Sequence, residues 1–314
     1  MASSFSRSRS NSVSSSVSND FYVGDRESLP KLTSQWDKLC LEKLGIYYNS
    51  QYHASPLDIL DMINSKTGCF GSLGGEQIDY VDDLKETLCF DISLQESSEN
   101  EQTPEQFVLT DEVLPKLEGE LFKIRQHYSS RKRMASVPEE FVKVIAQVLR
   151  YELGRYKSVK RMCPATEDLY VTVFNIFARM CGVETIPGSL WKNKMEVGKI
   201  IPSRRLHEEL VTQNSICDDI DHKTLGQHGG KLLLHLQNYN NKLTRGRRLL
   251  PGIVMGTEVI FTVLEIDPKH LSQVYSEDPI DSRATIYYSK PKDFLKKADR
   301  DVLMEAMIRL NNIK

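Results

Sequence analysis

Leu249-Leu-Pro-Gly-Ile-Val-Met-Gly-Thr-Glu-Val-Ile-Phe-Thr-Val-Leu-Glu-Ile266 reads as two apolar runs separated by a turn. Six of the nine residues from Glu258 to Ile266 are apolar, and they include β-branched and aromatic types, which is typical of a strand. Gly256 lies between the runs, where a turn is expected. The stretch therefore predicts a strand, a turn and a second strand.

Further elements surround this pair. The segment from Gly229 to Tyr239 predicts a helix before it, and Arg283-Ala-Thr-Ile-Tyr-Tyr-Ser predicts a third strand after it. The chain then has helical spacing from Ala298 to Asn311. Helix, strand, turn, strand, strand and helix in this order predict an α/β or α+β layer rather than a helical bundle.

The N-terminal two thirds of the chain have mainly helical patterns. The predicted helices cover residues 29–45, 55–68, 110–128, 136–153 and 164–182, with Ile46-Tyr-Tyr as a short extended piece. The helix expected at Ser136 would be capped by that serine and opened by Pro138. Gly45, Gly68 and Gly182 are expected to end their helices.

Composition divides the chain into four regions. They are a disordered Ser/Arg-rich tail (1–28), a small helical region (29–90), an acidic linker (91–109) and an α/β domain (110–314). In the tail, Ser10 and Ser12 follow arginines, a pattern that favours phosphorylation by basophilic kinases and would make the tail anionic. A transit peptide and an inert tail are the alternatives.

Several functional classes are not expected. No apolar run reaches the eighteen or so residues of a membrane helix, and no secretory h-region is present, so we expect a soluble protein of the nucleus or cytoplasm without membrane contact. The six cysteines are scattered, which predicts reduced thiols and no structural metal site. No P-loop, GxSxG, HExxH, kinase or Rossmann motif is found.

Basic residues are concentrated in two blocks. Leu121 to Arg161 contain eleven Lys/Arg against three Glu, and Lys231 to Arg248 contain five Lys/Arg and no acid. These blocks predict phosphate contacts, unless they are solvated surfaces or pair with the acidic segment before them. The candidates are Arg131, Lys132, Arg133, Lys231, Lys242, Arg245, Arg247 and Arg248. Tyrosines could either stack on bases or lie half-buried in the sheet. They are Tyr47, Tyr48, Tyr52, Tyr287 and Tyr288.

The C-terminal block resembles the back half of the PD-(D/E)XK nuclease-like domains of fungal and Crinkler-type proteins. The matching stretches are Lys231-Leu-Leu-Leu-His-Leu-Gln-Asn-Tyr239, Gly252-Ile-Val-Met-Gly-Thr-Glu-Val-Ile-Phe261 and Ile286-Tyr-Tyr-Ser-Lys-Pro291. They cover a quarter to a third of the chain. The resemblance implies a restriction-endonuclease-like mixed sheet flanked by helices.

The resemblance also implies a set of catalytic residues. Asp221 and Lys223 would form the family's acidic-x-Lys strand, and Glu167 or Glu152 the helical acid, together holding Mg²⁺. The family's first Asp has no counterpart, because Gly198-Lys-Ile-Ile-Pro-Ser-Arg-Arg stands in its place. We therefore expect a non-catalytic interaction protein that binds protein partners or nucleic acid. The alternatives are an active Mg²⁺-dependent nuclease and a protein–protein adaptor acting through the helices around Trp36.

Overall fold

The computed structural model describes residues 29–310 and 312, apart from 31, 69–71, 93–104, 131, 158–166, 184–199, 202–219, 241–251, 277–278 and 311. Within its helices and strands, the side chains of 105–112, 132–134, 152–157, 167–168, 200–201, 235 and 237–240 are also outside the description. The predicted tail at 1–28, with Ser10 and Ser12, and most of the predicted linker at 91–109 lie outside the described residues.

The described elements are mainly helices, with short strands near both ends of the described sequence and between the later helices. The helices are α1 (Lys38–Glu42), α2 (Pro56–Thr67), α3 (Gly75–Thr87), α4 (Glu105–His127), α5 (Lys132–Lys157), α6 (Glu167–Met180), α7 (His222–Asn240), α8 (Pro268–Tyr275) and α9 (Lys297–Leu310). The strands are β1 (Ile46–Tyr48), β2 (Ile200–Ile201), β3 (Gly252–Met255), β4 (Glu258–Glu265), β5 (Ala284–Tyr288) and β6 (Lys292–Asp293). None of the described helices is long and apolar enough to cross a membrane.

The strands form one mixed sheet, which confirms the α/β class. The strand order is β1-β5-β4-β3-β2, and β6 pairs with β4 beyond the end of β5. Both outer pairs, β1 with β5 and β2 with β3, are parallel, whereas the central pairs are antiparallel. Gly256, with φ of +57°, makes the tight turn that joins β3 to β4 as predicted.

The two faces of the sheet carry separate hydrophobic cores. Val254, Phe261 and Val263 point to the first face, where α2 to α6 and α9 cover them. Ile46, Ile286 and their neighbours point to the second face, under α1, α7 and α8. Strand residues alternate between faces, so the near-continuous apolar run of β4 supplies both cores.

Several of the predicted element boundaries are confirmed, whereas the helix predicted over 29–45 is reduced to α1 at Lys38–Glu42. α2 begins after Ser55, whose side chain accepts the Leu57 N–H, while the Asp58 carboxylate accepts the Ser55 N–H. It ends at Gly68, which adopts the left-handed conformation with φ of +61°. β1, β3, β4, β5 and the C-terminal helix also lie where the sequence indicates. Neither α3 nor α8 is predicted by the sequence patterns used above.

The predicted helix start at Ser136 is wrong. α5 begins at Lys132 and contains Pro138 in its interior. A proline there removes one backbone hydrogen bond, so local preference favours a helix start. The helix continues because its apolar stripe is buried, with Phe141, Ile145 and Leu149 all fully covered in the first core.

The segments predicted as a small helical region and an α/β domain share one sheet. β1 pairs in parallel with β5, in the register Ile46↔Ala284 and Tyr48↔Ile286. α2 and α3 contribute to the first core together with α9. α4 begins at Glu105, inside the segment predicted as a linker. The division of the chain into domains stays a prediction, but residues 29–92 are joined to the C-terminal part through sheet and core.

Candidate nucleic-acid interface

The strand predicted around Asp221 and Lys223 is absent from that position. Asp221 precedes α7 and caps it: its carboxylate accepts the Thr224 N–H at 2.9 Å and the Thr224 hydroxyl at 2.6 Å. Lys223 is the second residue of the helix and is exposed. The prediction that both side chains share one strand face is therefore wrong. Asp221 instead starts a helix, where its carboxylate accepts a backbone N–H that has no partner within the helix.

The remaining predicted catalytic residues are described only as backbone. Glu167 is the first residue of α6 and Glu152 lies in α5, and neither side chain is described. Among the described residues, no three His, Cys, Asp or Glu side chains are placed to hold a metal ion. The Mg²⁺-dependent nuclease therefore stays a prediction without an assembled centre in the described part of the chain.

The predicted phosphate-binding cations fall mostly outside the description. Lys231 lies in α7 and is half-buried. Lys132 and Arg133 are in the first turn of α5, without described side chains. Those outside the described residues are Arg131, Lys242, Arg245, Arg247 and Arg248. The predicted phosphate-binding set therefore stays a prediction.

A polar cleft lies between the C-terminal halves of α3 and α4. Its cavity of about 280 Å³ is lined by Glu86, Thr87, Lys123, Gln126 and His127. Asp83 bridges the two helices, with one oxygen 2.7 Å from His127 Nε2 and the other accepting the Tyr128 hydroxyl at 2.5 Å. This network joins two helices and includes none of the predicted catalytic residues.

The sheet does bring tyrosines together at its β1 edge. Tyr47 pairs with Thr285 across β1 and β5, so Tyr47, Thr285 and Tyr287 point to the first face. Tyr47 and Tyr287 are half-buried there. Tyr48 and Tyr288 point to the second face and are only 8% and 2% exposed, so they have no surface for base stacking.

Three tyrosines near this edge each have a cation over the ring. Arg283 Cζ lies 4.4 Å from the centre of the Tyr47 ring, and Lys290 Nζ lies 4.8 Å from that of Tyr52. Lys66 Nζ lies 5.5 Å from the centre of the Tyr287 ring. Such contacts are attractive because the ring face is electron-rich. We call this surface the tyrosine edge; its residues are Tyr47, Tyr52, His53, Lys66, Arg283, Tyr287 and Lys290.

The elements that build this edge come from distant parts of the sequence. After β1 the chain bends through residues 49–52 and returns to the sheet at His53, which bridges to Ser289 and donates its N–H to the Tyr288 carbonyl. The His53 ring stands edge-on to Tyr287, with centroids 6.0 Å apart. Backbone pairing therefore fixes the positions of the rings relative to β5.

The three cations differ in their partners. Besides lying over Tyr287, Lys66 forms a salt bridge with Glu265, whose two carboxylate oxygens lie 2.7 and 2.8 Å from the Lys66 Nζ. Burial, followed by its hydrogen bond to Glu265, raises the pKa of Tyr287, so its hydroxyl stays protonated. Arg283 and Lys290 are exposed and form no salt bridge within the described residues. They therefore give this edge a net positive charge.

Sequence reasoning found the rings but missed the cations. Lys66, Arg283 and Lys290 lie outside the two basic blocks, and the chain folding rather than local charge density brings them together. One local signal was present, because Arg283 and Lys290 flank the strand that carries Tyr287.

Of the features implied by the resemblance to nuclease-like domains, the structure shows the mixed sheet and its flanking helices. No protein-family model matches the chain, and no curated protein or solved structure matches it either.

Proposed function

We propose that this protein is a non-catalytic interaction protein that binds nucleic acid through the tyrosine edge. The observation that carries the proposal is the row of three cation–tyrosine pairs along β1 and β5. Cations that neutralise phosphates supply most of the affinity for a nucleic-acid backbone, and aromatic rings offer stacking surfaces for bases. The tyrosine edge presents both groups side by side.

The charges at this edge favour a polyanion. Arg283 and Lys290 project from opposite ends of β5, and neither is neutralised by a described carboxylate. Lys66 is held by Glu265 and contributes less positive charge. We therefore expect Arg283 and Lys290 to make the main phosphate contacts.

The capping role of Asp221 supports the non-catalytic part of the proposal. Both of its oxygens are engaged by Thr224, and Lys223 follows on a helix rather than on a strand. From the resemblance to nuclease-like domains, the proposal takes only the sheet and its flanking helices. In this proposal the sheet serves as a platform, and its edge rather than a metal centre contacts the ligand.

The test measures binding of labelled nucleic acid to the full chain across a series of salt concentrations. Replacing both exposed cations (Arg283→Gln with Lys290→Gln) removes two phosphate contacts. The slope of log affinity against log salt should become shallower by about 1.4–1.8, which is 0.7–0.9 for each contact. With Mg²⁺ present, the nucleic acid should remain intact.

Lys143→Gln is the matched control. Lys143 is an exposed lysine of α5 that pairs with Glu139, outside the tyrosine edge. Its loss should leave the salt slope unchanged. Binding of equal strength and slope in the double variant and the parent would exclude the tyrosine edge as the interface. Mg²⁺-dependent cleavage that disappears in Asp221→Ala would contradict the non-catalytic assignment.

A further inference from the structure

We infer that the ligand of the tyrosine edge is single-stranded nucleic acid, whose bases stack on the Arg283–Tyr47 and Lys290–Tyr52 pairs. This inference rests on the proposed function and adds to it the class of ligand. It follows from which surfaces of the rings and cations are open, how far apart they lie and what shape the edge has.

Two exposed groups at this edge have planar surfaces: the Arg283 guanidinium, which also donates hydrogen bonds, and the Tyr52 ring. The Arg283 guanidinium lies 4.4 Å from the Tyr47 ring centre and its residue is exposed, so a further planar group can reach it from solvent. Tyr52 is itself 36% exposed beside Lys290. Unpaired bases stack on tyrosine rings and on guanidinium planes.

A duplex does not offer the faces that these groups would contact. In a double helix each base is covered by its neighbours, and only its edges are accessible in the grooves. Reading those edges in the major groove requires a projecting element such as an α-helix or a two-stranded ribbon. The described elements at this edge are a three-residue strand and the bend at 49–52, and two of the rings, Tyr47 and Tyr287, are half-buried against the sheet.

The dimensions of the edge suit a short single strand. Arg283 and Lys290 flank β5 and are seven residues apart, which is about 23 Å at roughly 3.3 Å per residue. Tyr47, Tyr287 and Tyr52 follow one another along this line, as the pairing of β1 and then His53 with β5 places them. A surface of this length accommodates roughly four nucleotides, at the lower end of the site sizes of single-strand binding folds.

The experiment compares one mixed-sequence oligonucleotide as a single strand, in DNA and RNA forms, with its own duplex. Anisotropy titrations use the full chain at fixed salt. We expect the single strand to bind at least about tenfold more tightly than the duplex. Tyr47→Leu and Tyr52→Leu remove a ring but keep an apolar side chain, and each should weaken single-strand binding by at least about fivefold while leaving the salt slope unchanged.

Tyr151→Leu is the matched control, because Tyr151 is a 43% exposed tyrosine on α5 outside this edge. It should leave single-strand affinity unchanged. Arg283→Gln should weaken binding and also lower the salt slope by about 0.7. These two patterns separate ring stacking from phosphate contact.

Two results overturn the inference and leave the proposed function standing. One is a duplex that binds as tightly as the single strand. The other is unchanged affinity in both leucine variants while Arg283→Gln still weakens binding. If neither form of the oligonucleotide binds even at low salt, the proposed function itself fails, and the inference fails with it.

Discussion

At the scale of single residues, Arg300 is the largest fully buried side chain in the described part of the chain. It is fully buried in the first core, where its guanidinium donates hydrogen bonds to the carbonyls of Phe294, Leu295, Leu88 and Phe90. Its Cζ also lies 3.8 Å from the centre of the Phe90 ring. Burial lowers the pKa of Arg300 to about 10, which still leaves it charged at neutral pH. One side chain thus ties the end of α3 to the turn before α9.

Arg300→Met is therefore expected to destabilise the fold by roughly 3–5 kcal/mol, because buried carbonyls lose their donors. The measurement is the free energy of unfolding in urea. Arg179→Met is the control: Arg179 is exposed and pairs with Glu140 on the surface, so its loss should cost less than about 1 kcal/mol. Equal effects of the two substitutions would show that the carbonyl contacts of Arg300 contribute little.

At the scale of elements, α7 approaches the N-terminal segment more closely than side chains normally permit. A Cβ at Gly226 would lie 2.1 to 2.3 Å from the backbone of Asp37, and one at Gly229 would lie 2.4 Å from Leu41. The helix contains these glycines despite their poor helix propensity because α1 packs directly onto its backbone. This contact holds residues 33–42 against the second face of the sheet.

Gly226→Ala is expected to destabilise the protein by roughly 3 kcal/mol or more, because backbone must move to admit the methyl group. Gly119→Ala is the matched control, since Gly119 lies in α4 and, apart from its chain neighbours and its own helix backbone, no described atom lies within 4 Å of its Cβ position. That change should instead stabilise the fold by about 0.5–1 kcal/mol, through helix propensity alone. Urea unfolding measures the free energy of unfolding of each variant. If Gly119→Ala destabilised the protein as much as Gly226→Ala, the close contact with Asp37 would not be the cause of the Gly226 effect.

Element prediction from the sequence succeeds where local chemistry and burial agree. Ser55-Pro56 starts α2, and β4 follows its β-branched run, because the cap and the apolar pattern predict the same structure that the core selects. It fails where they disagree. Pro138 favours a helix start, but the buried stripe around Phe141 extends α5 through it. The Asp221-His222-Lys223 spacing satisfies a strand motif, yet the Asp221 carboxylate caps a helix.

At the scale of the whole molecule, the sheet joins the two ends of the chain. β1 lies beside β5, more than 230 residues away in sequence, and Lys66 reaches Glu265. No local pattern encodes such pairings, so the α/β class was predictable, whereas the tyrosine edge was not. Tyr47 and Tyr287 lie in short strands that the sequence predicts, and Tyr52 lies in the bend after β1, but the cations over the three rings come from α2 and from the two ends of β5.

Helix packing over the first face also sets how the whole fold responds to alkaline pH. Tyr80 of α3 donates a hydrogen bond of 2.6 Å to the Met180 carbonyl at the end of α6. Burial, with smaller contributions from Cys181 and Asp83, raises the pKa of Tyr80 to about 12, against about 10 in an unfolded chain. Burial and its bond to Asp83 likewise raise the pKa of Tyr128. Both hydroxyls thus stay protonated in the folded protein at pH values where the unfolded chain releases the protons.

The sign of the effect follows from linkage. Between about pH 10 and 12 the folded state binds more protons at Tyr80 than the unfolded state does, so stability falls as pH rises through this window and is fully retained below it. Tyr80→Phe should cost about 1 kcal/mol at neutral pH, because the Met180 carbonyl loses its donor. It should also make the alkaline loss of unfolding free energy shallower, although the contribution of Tyr128 remains. Urea unfolding at several pH values from 7 to about 11 measures both effects, with Tyr151→Phe, at a 43% exposed tyrosine, as the control. Parallel alkaline curves for the parent and Tyr80→Phe would mean that the hydroxyl of Tyr80 is not sequestered between α3 and α6.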